Sequence, residues 1–170
     1  MKSAIILALP EAEALVGALR QEGDPSAALG IPAHVTLLYP FVPDPDVGVV
    51  AELEFFFERV DGFALTFSKV GEFPEVVYLD PDEAHECAAL TKALALRWPD
   101  CPPYGGEFDE VVPHLTVVDT PDATLRSWAR AHVEAGLPLR ALAREASLWV
   151  QDERTRHWTQ RAVFPLAPHA

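Results

Sequence analysis

Two stretches of this sequence share one pattern, AHVTL at residues 33–37 and PHLTV at residues 113–117. In each stretch a histidine and a threonine two positions later alternate with apolar residues. Side chains of a β-strand alternate between its two faces, so each stretch predicts a strand with an imidazole and a hydroxyl on one face and apolar side chains in the core. The two histidines lie 80 residues apart, which suggests a duplicated unit.

The segments around these stretches repeat in one order: strand, helix, His-x-Thr strand, helix, strand. Apolar runs and alternating patterns predict the strands, and apolar residues spaced three and four apart predict the helices. This order predicts a duplicated α+β unit. In the first half we expect strands at 4–9, 33–41 and 63–70, helices from Pro10 and across 49–60, and a loop from Gly23 to Pro32. In the second half we expect strands at 76–79, 113–119, within 139–150 and at 158–164. Two helix caps are also expected: Asp80-Pro81-Asp82-Glu83, which is close to a capping box, starts one helix, and Thr120-Pro121-Asp122 caps the other.

Length and composition favour a single domain. The 170 residues are 49% hydrophobic, which is enough to bury a substantial core. No flexible linker separates the halves, so we predict one domain over residues 1–170, made of two pseudo-symmetric lobes at about 1–71 and 72–170, with strand exchange between the lobes as an option. Two cysteines and no apolar stretch of membrane-helix or signal-peptide type make a cytoplasmic protein the expectation. We also expect a monomer.

The net charge of −13 disfavours several classes of partner. Binding of nucleic-acid phosphates or of an anionic lipid surface depends on basic patches. The acidic excess lies in the first 120 residues, and the last fifty are mildly cationic. We therefore expect neither long duplex nucleic acid nor a membrane among the partners of this protein.

The residue types on the two strands suit acid–base chemistry at a phosphate. If the halves pack about a pseudo-two-fold axis, His34 and Thr36 face His114 and Thr116 across a groove. Histidine titrates near neutral pH, so one imidazole can act as a base and the other as an acid, while hydroxyls donate to anionic oxygens. Cleavage of a phosphodiester needs this set of groups. We expect no cofactor and no metal, because the motifs offer no third histidine or convergent carboxylate to complete a metal site.

The two stretches resemble the paired His-hydrophobic-Thr motifs of the 2H phosphoesterase superfamily, especially its bacterial 2′–5′ RNA ligase-like, or LigT-like, cyclic phosphodiesterase branch. The segment YGGEF at 104–108 resembles the loop that often precedes the second motif in that branch. The resemblance implies a bilobal α+β fold in which antiparallel sheets line a central cleft, with helices outside. By motif match, His34 and His114 would be the catalytic acid and base, in an order that the sequence leaves open, and Thr36 and Thr116 would donate to phosphate oxygens.

The implied activity is metal-independent hydrolysis of, or reversible ligation through, 2′,3′-cyclic or related cyclic phosphodiesters on small nucleotides or RNA ends. The acidic residues around the second motif, Asp109, Glu110 and Asp119, shift the expected partner from long RNA to a small cyclic nucleotide or a short RNA end. The alternative from another class is a non-catalytic module that binds a phosphorylated metabolite or RNA terminus in the same cleft.

Three other residues are candidates for substrate binding. Tyr104 lies in a glycine-rich loop beside the second motif and is a candidate for stacking on a base. Arg154 and Arg156 lie in the turn between the last two strands, from which they can reach a phosphate; an exposed, charged hairpin is the alternative interpretation. By strand alternation, Tyr39 and Phe41 share the inward face of Val35 and Leu37, which predicts core packing.

The remaining histidines and the cysteines are interpreted as structural. His85 and Cys87 do not share a helix face, which disfavours a metal site formed by this pair. His132 falls on the apolar face of a helix, and His157 and His169 lie near chain or strand ends. We expect none of these three histidines to be catalytic.

Overall fold

Residues 1–168 are described by the computed structural model, and they form two four-stranded sheets with helices packed against them. The strands are β1 (Lys2–Ala8), β2 (His34–Leu38), β3 (Phe63–Phe73), β4 (Val76–Pro81), β5 (Leu115–Asp119), β6 (Leu139–Ala143), β7 (Glu145–Gln151) and β8 (Trp158–Pro165). The helices are α1 (Glu13–Gly23), α2 (Pro25–Ala28), α3 (Val47–Phe57), α4 (Ala84–Arg97) and α5 (Ala123–Gly136), and short 3-10 turns lie at Pro10–Ala12 and Pro103–Gly106.

All neighbouring strands in both sheets are antiparallel. The first sheet has the order β2-β1-β7-β8 and the second has the order β5-β4-β3-β6. Each His-x-Thr strand is therefore the edge strand of a different sheet. The α+β class with antiparallel sheets, expected from the sequence, is confirmed.

β1 is buried on both faces because side chains pack against each side of its sheet. Ile5 and Leu7 belong to the main core, which continues through the second sheet. Ala4 and Ile6 face the opposite side and pack with Ile31 and Trp158 in a smaller cluster. This two-sided burial explains the apolar run at the start of the chain, because a strand that is covered on both faces needs apolar residues at successive positions.

The sheets combine strands from both ends of the chain. β3 lies in residues 1–71 but pairs with β4 and β6, whereas β7 and β8 lie in residues 72–170 but join β1 and β2 in the first sheet. The single strand expected within 139–150 is two strands: β6 pairs with β3 and β7 pairs with β1, with Arg144 between them. The division into two lobes near residue 71 stays a prediction. Each sheet contains strands from both residues 1–71 and residues 72–170.

The helices back the motif strands in a crossed arrangement. α1, from the first half, contacts β5, and α4, from the second half, contacts β2. Buried side chains on the strands and helices, such as Val35 on β2 and Val16 on α1, belong to one continuous core. The crossed packing fixes each His-x-Thr strand against an element of the other half.

The helix starts show which capping signals act. Asp122 caps α5, accepting hydrogen bonds from the backbone N–H groups of Thr124 and Leu125 at 2.9 and 3.1 Å, as the sequence predicts. The predicted cap at Asp80–Glu83 is wrong. Pro81 is the last residue of β4, paired with Phe67 of β3, and α4 begins at Ala84 without a side-chain cap. Asp80 and Pro81, the first residues of the pattern that resembles a capping box, instead pair with β3 and extend β4.

Two smaller features complete the fold. The segment expected to be a loop between residues 23 and 32 contains α2, which Asp24 caps through the backbone N–H of Ser26. Within residues 1–168, no helix combines the length and the apolar character required to cross a lipid bilayer.

Candidate functional site

The two motif strands, β2 and β5, lie next to each other, and their motif residues line two adjacent cavities. β2 and β5 are in contact. The first cavity, about 390 Å³, is lined by His34, Thr36 and Thr116, and we call it the His34 cavity. The second, about 630 Å³, is lined by His114 and mainly apolar side chains, and we call it the His114 cavity. Together they form the cleft, so the structure brings all four motif residues to one region.

Each motif histidine is held by the same local hydrogen bond. The Nδ1 atom of His34 lies 2.7 Å from the carbonyl oxygen of Pro32, and the Nδ1 atom of His114 lies 2.7 Å from that of Val112. A carbonyl oxygen only accepts, so Nδ1 carries the hydrogen in both rings. The neutral tautomer therefore leaves Nε2 as the unprotonated nitrogen of each imidazole. Both rings are fixed in the tautomer that a general base at Nε2 requires.

The surroundings of both histidines favour the neutral ring. The pKa of His34 is lowered to about 4, mainly by burial and also by the positive charge of Arg20, while the hydrogen bond to Pro32 acts in the opposite direction. The charge of His114 lowers the pKa of His34 as well, so the two imidazoles interact electrostatically. Burial also lowers the pKa of His114. At neutral pH the free cleft therefore holds two uncharged imidazoles.

Tyr104 joins the loop before the second motif to the first motif strand. Its hydroxyl is hydrogen-bonded with the side chain of Thr36, and burial raises the pKa of Tyr104. Its backbone N–H donates to the carbonyl oxygen of Tyr39 at 2.6 Å. Tyr104 adopts φ 51°, a left-handed backbone conformation that is unfavourable for a bulky residue. The loop is thus bent so that this aromatic ring lies at the boundary of the two cavities.

Both motif strands contain a bulge that the sequence analysis missed. Ile5 and Ile6 of β1 pair with Leu38 and Thr36, which leaves Leu37 as an extra residue in β2. An extra residue in a strand reverses the face of the side chains that directly follow it, until the strand ends. Leu37 and Leu38 are therefore both buried, and Tyr39 lines the His34 cavity instead of the core.

The expectation of core packing is wrong for Tyr39 because of this bulge, and it is confirmed for Phe41. Phe41 is buried and packs edge-on against Trp98, with 5.4 Å between the ring centroids. Tyr39 instead lies near Trp158, with 6.3 Å between the centroids. Together, Tyr39 and Trp158 give the His34 cavity an aromatic wall.

The second motif strand repeats the bulge at the equivalent place. Val77 and Tyr78 of β4 pair with Val118 and Thr116, so Val117 is the extra residue in β5. Val117 and Val118 are both buried, and Asp119 lines both cavities of the cleft. Each half thus presents three cleft residues at the same spacing, and the third is Tyr39 in one half and Asp119 in the other.

An aromatic pair supports the imidazole of His114. The rings of Phe73 and Tyr78 stack on each other at 4.3 Å and approach His114 with their centroids 5.2 and 5.5 Å away, respectively. Gly71 makes this possible, since a Cβ atom there would lie 2.2 Å from the ring of Tyr78. These three residues gave no signal in the sequence beyond strand patterns, because their role depends on cross-strand pairing.

The structure separates the two candidate arginines. Arg156 is exposed and lines the His34 cavity, and its backbone carbonyl accepts a hydrogen bond from the side chain of Gln151 at 2.8 Å. Arg154 is exposed in the same turn and is not part of the lining of either cavity. The side chain of Asp152 accepts hydrogen bonds from the backbone N–H groups of Arg154 and Thr155, which fixes the turn.

A buried ion pair that was not predicted adjoins the His34 cavity, and one of its partners, Asp24, lines that cavity. The guanidinium of Arg20 donates to the Oδ2 atom of Asp24 through Nε at 3.1 Å and Nη2 at 3.0 Å, and both side chains are almost fully buried. Arg20 also donates to the carbonyl oxygen of Ile31, at 3.3 Å. The pair connects α1 with the segment that leads into β2, and so supports the position of His34.

The other histidines lie outside the lining of the cleft or outside the described residues. His85 is exposed beside Glu86, Cys87 is buried, and His132 packs against the exposed ring of Trp128. His157 is exposed in the turn before β8, and His169 lies outside the described residues. Residues 1–168 contain no group of three or more His, Cys, Asp or Glu side chains arranged to hold a metal ion.

Comparison with known proteins places this arrangement in a family. The family model described as the 2′-5′ RNA ligase superfamily matches residues 8–155. No curated protein sequence matches the chain at a significant level.

Several solved structures have the same fold at low sequence identity. LigT of E. coli complexed with 3′-AMP is 20% identical, with a TM-score of 0.60 and 97% of each chain covered. A structure described as a phosphoesterase is 19% identical, with a TM-score of 0.61 and 98% of each chain covered. The protein TT0787 of Thermus thermophilus is 18% identical, with a TM-score of 0.60 over the full length of both chains. The chain therefore belongs to the 2′-5′ RNA ligase superfamily and has the LigT-like 2H phosphoesterase fold.

Proposed function

We propose that this protein is a metal-independent phosphoesterase that opens 2′,3′-cyclic or related cyclic phosphodiesters on small nucleotides or RNA ends, and that can form the same linkage in the reverse direction. Membership of the superfamily supports phosphoesterase or ligase chemistry in general terms. The single observation that carries the proposal is the pair of imidazoles at the cleft, each with Nδ1 bound to a backbone carbonyl and Nε2 free to act as a base.

The proposed reaction divides its proton transfers between the two rings. One imidazole takes a proton from water as the water oxygen attacks phosphorus, and the other ring, in its protonated form, gives a proton to the ribose oxygen that leaves. The new P–O bond replaces the P–O bond of the cyclic diester, and the net change is the addition of one water molecule. Which of His34 and His114 is the acid stays open.

The threonines are proposed to stabilise the charge that develops on the non-bridging oxygens. Thr36 and Thr116 line the His34 cavity, where their hydroxyls can donate to phosphate. When Tyr104 donates its own hydrogen to Thr36, the hydroxyl hydrogen of Thr36 is available to the phosphate. Tyr104 is therefore proposed to position Thr36 as well as to border the bound nucleotide.

The proposed partner is a small nucleotide or a short RNA end. LigT of E. coli has been crystallised with 3′-AMP, with NADP+ and with ATP, which supports a nucleotide-sized ligand in this cleft. We keep the expectations of a monomer, of no resident cofactor and of a reducing, cytoplasmic setting, the last because the chain has only two cysteines.

The decisive experiment is an assay of nucleoside 2′,3′-cyclic phosphate hydrolysis in excess chelator. Turnover that persists in chelator supports the proposal. Loss of turnover on chelation, restored by adding back a divalent metal, would falsify the metal-independent mechanism.

A non-catalytic binding module remains the second candidate, and one observation favours it. The pKa values of His34 and His114 are both lowered, so the free cleft offers no protonated acid at neutral pH. Binding of a cyclic nucleotide with no product after long incubation, in chelator or in added divalent metal, would favour the binder. Catalysis instead requires that the bound anion raise the pKa of at least one imidazole.

That requirement gives a prediction for anion binding. A dianion between the rings stabilises the imidazolium form, and we expect it to raise the pKa of one ring above its usual range while the other ring stays mainly neutral. Binding of sulfate, which does not titrate near neutral pH, should therefore take up close to one proton at pH 6, and its affinity should weaken as the pH rises. Calorimetry in two buffers of different ionisation enthalpy measures this uptake. Sulfate binding without proton uptake would contradict the acid–base assignment.

The two arginines of the turn give a matched pair of variants. Arg156→Ala removes the cation that lines the His34 cavity, and we expect KM for a cyclic nucleotide to rise by about three- to ten-fold, because the arginine is exposed and its charge is partly screened. Arg154→Ala is expected to leave KM within about two-fold, since a solvated charge outside the lining contributes little. Equal effects of the two substitutions would contradict a role for Arg156 in binding.

A further inference from the structure

Asp119 occupies the central position of the cleft although it belongs to neither motif. It lines the His34 cavity, the His114 cavity and a third, shallower cavity between α1 and the end of β5. The bulge at Val117 is what turns its side chain to the motif face of the strand. A group in this position faces any ligand that extends from one cavity of the cleft to the other.

The carboxylate of Asp119 lacks a compensating charge. Among residues 1–168, no cation or hydrogen-bond donor pairs with it. Asp119 is exposed, and the partial burial of its carboxylate raises its pKa, as do the negative charges of Asp24 and Glu75. The neighbouring charges are thus negative, and they add to the negative potential around Asp119.

The other charges of the cleft do not offset Asp119 on the side of His114. Within the described residues, the lining of the His114 cavity contains Glu110 and Asp119 and no lysine or arginine. Of residues 1–168, Arg156 is the one lysine or arginine in the lining of the His34 cavity. Arg20 lies behind that cavity but is committed to Asp24 through two hydrogen bonds. The cleft therefore has donors for one phosphate group and no cation placed for a second one near His114.

The rest of the His114 cavity is suited to an uncharged ring. Its walls include Phe73, Val76, Tyr104, Phe108 and Val112. Apolar and aromatic walls favour planar, neutral groups and provide no compensation for a desolvated anion. Asp119 lines both cavities, so a ligand that extends from the phosphate into the His114 cavity passes this side chain.

We propose that Asp119 is a specificity-determining residue that restricts the cleft to nucleotides carrying one phosphate group, by repelling a second phosphate on the same ligand. The inference rests on the proposed function for the position of the first phosphate, between the two motif strands. The preferred substrate class is then a nucleoside cyclic phosphate with a free 5′-hydroxyl, which narrows the proposed function by excluding RNA ends, whose terminal nucleoside carries a second phosphate on its 5′ oxygen. Ligands with further phosphates, such as the ATP that LigT of E. coli binds, should bind poorly here.

The test compares two ligands that differ by one phosphate. Calorimetry measures the affinities of adenosine 3′-monophosphate and adenosine 3′,5′-bisphosphate for the wild-type protein and for Asp119→Asn, at low ionic strength. One unit charge across a solvated cleft changes affinity by about five- to ten-fold. We expect the wild-type protein to prefer the monophosphate by at least about ten-fold and Asp119→Asn to reduce this ratio by about five-fold.

A charge-matched control separates a local from a general effect. Glu75→Gln removes a nearby negative charge from a residue that lines neither cavity, so it should leave the ratio within about two-fold of wild type. Thermal unfolding of each variant checks that the fold is retained. An unchanged ratio in Asp119→Asn, or equal ratios in Asp119→Asn and Glu75→Gln, would overturn the proposal, as would a wild-type protein that binds both ligands equally or binds neither.

The cyclic phosphate assay keeps the two proposals apart. Hydrolysis combined with an unchanged ratio in Asp119→Asn overturns the role of Asp119 alone. The expected ratios without any hydrolysis leave the role of Asp119 in place and overturn the catalytic function.

Discussion

Replacing either His34 or His114 by alanine is expected to lower the turnover of a nucleoside 2′,3′-cyclic phosphate by about 10²–10⁴-fold, the usual contribution of a positioned general acid or base. Both rings are fixed through Nδ1 to a backbone carbonyl, so alanine removes the free Nε2 and leaves the strand intact. The loss should appear in kcat more than in KM, because the proton transfers occur in the transition state.

The double variant sharpens this prediction. If the two rings act as one acid–base pair, His34→Ala/His114→Ala should be little slower than the slower single variant, since either loss already disables the proton relay. His132→Ala is a suitable control, because His132 packs on the exposed Trp128 and lines neither cavity. Wild-type turnover in either single variant would remove that histidine from the mechanism.

The motif strands were predictable because their signal is local. His34 and Thr36 are separated by Val35, which is buried, and His114 and Thr116 are separated by Leu115, which is buried as well. A period of two over three residues suffices to predict which side chains share a face. The order of elements is the same in both halves. It therefore predicts that the face with His34 and Thr36 and the face with His114 and Thr116 occupy equivalent positions in the two halves.

The third cleft residue of each half was not predictable from the same signal. Tyr39 and Asp119 reach the cleft because Leu37 and Val117 are extra residues opposite β1 and β4. A bulge is a property of a strand pair, and the sequence of one strand does not specify the register of its partner. Alternation counted past a bulge therefore assigns the wrong face, as it does for Tyr39.

The sharing of strands between the sheets depends on packing over long distances. The sequence predicts one strand within residues 139–150. The change from the second sheet to the first at Arg144 is set by the pairing of β6 with β3 and of β7 with β1. These partners lie more than seventy residues away in sequence. The local propensity of a segment predicts that it forms a strand, but it does not specify with which strand, and so in which sheet, the segment pairs.

Arg20 is a further residue whose role the sequence conceals, and it carries the second large prediction. On α1 it reads as an ordinary surface arginine, yet it is buried and bonded to Asp24 and to the carbonyl oxygen of Ile31. Removing one partner of a buried ion pair leaves an uncompensated charge, which typically costs about 3–5 kcal/mol of unfolding free energy. Arg20→Met is therefore expected to lower the unfolding free energy by about this amount, measured by urea denaturation.

A double variant distinguishes loss of the ion pair from loss of packing. Arg20→Met/Asp24→Asn removes both charges, and asparagine can still cap α2 by accepting from the backbone N–H of Ser26. We expect the double variant to be more stable than Arg20→Met alone, since the stranded carboxylate is gone. A double variant as unstable as the single one would mean that the packing of the arginine, and not its charge, holds α1 against the segment before β2.

The same substitution links stability to the site. Burial is the main reason for the low pKa of His34, and the positive charge of Arg20 adds to it. Arg20→Met should therefore raise the pKa of His34 above about 4 without bringing it fully to the usual histidine range, which an NMR titration of the imidazole resonances measures. A base must be unprotonated to act. When the pH is lowered, any activity that depends on neutral His34 should therefore be lost at a higher pH in Arg20→Met than in the wild-type protein. An unchanged titration would show that burial alone sets the protonation of His34, and Arg20 would then serve only the fold.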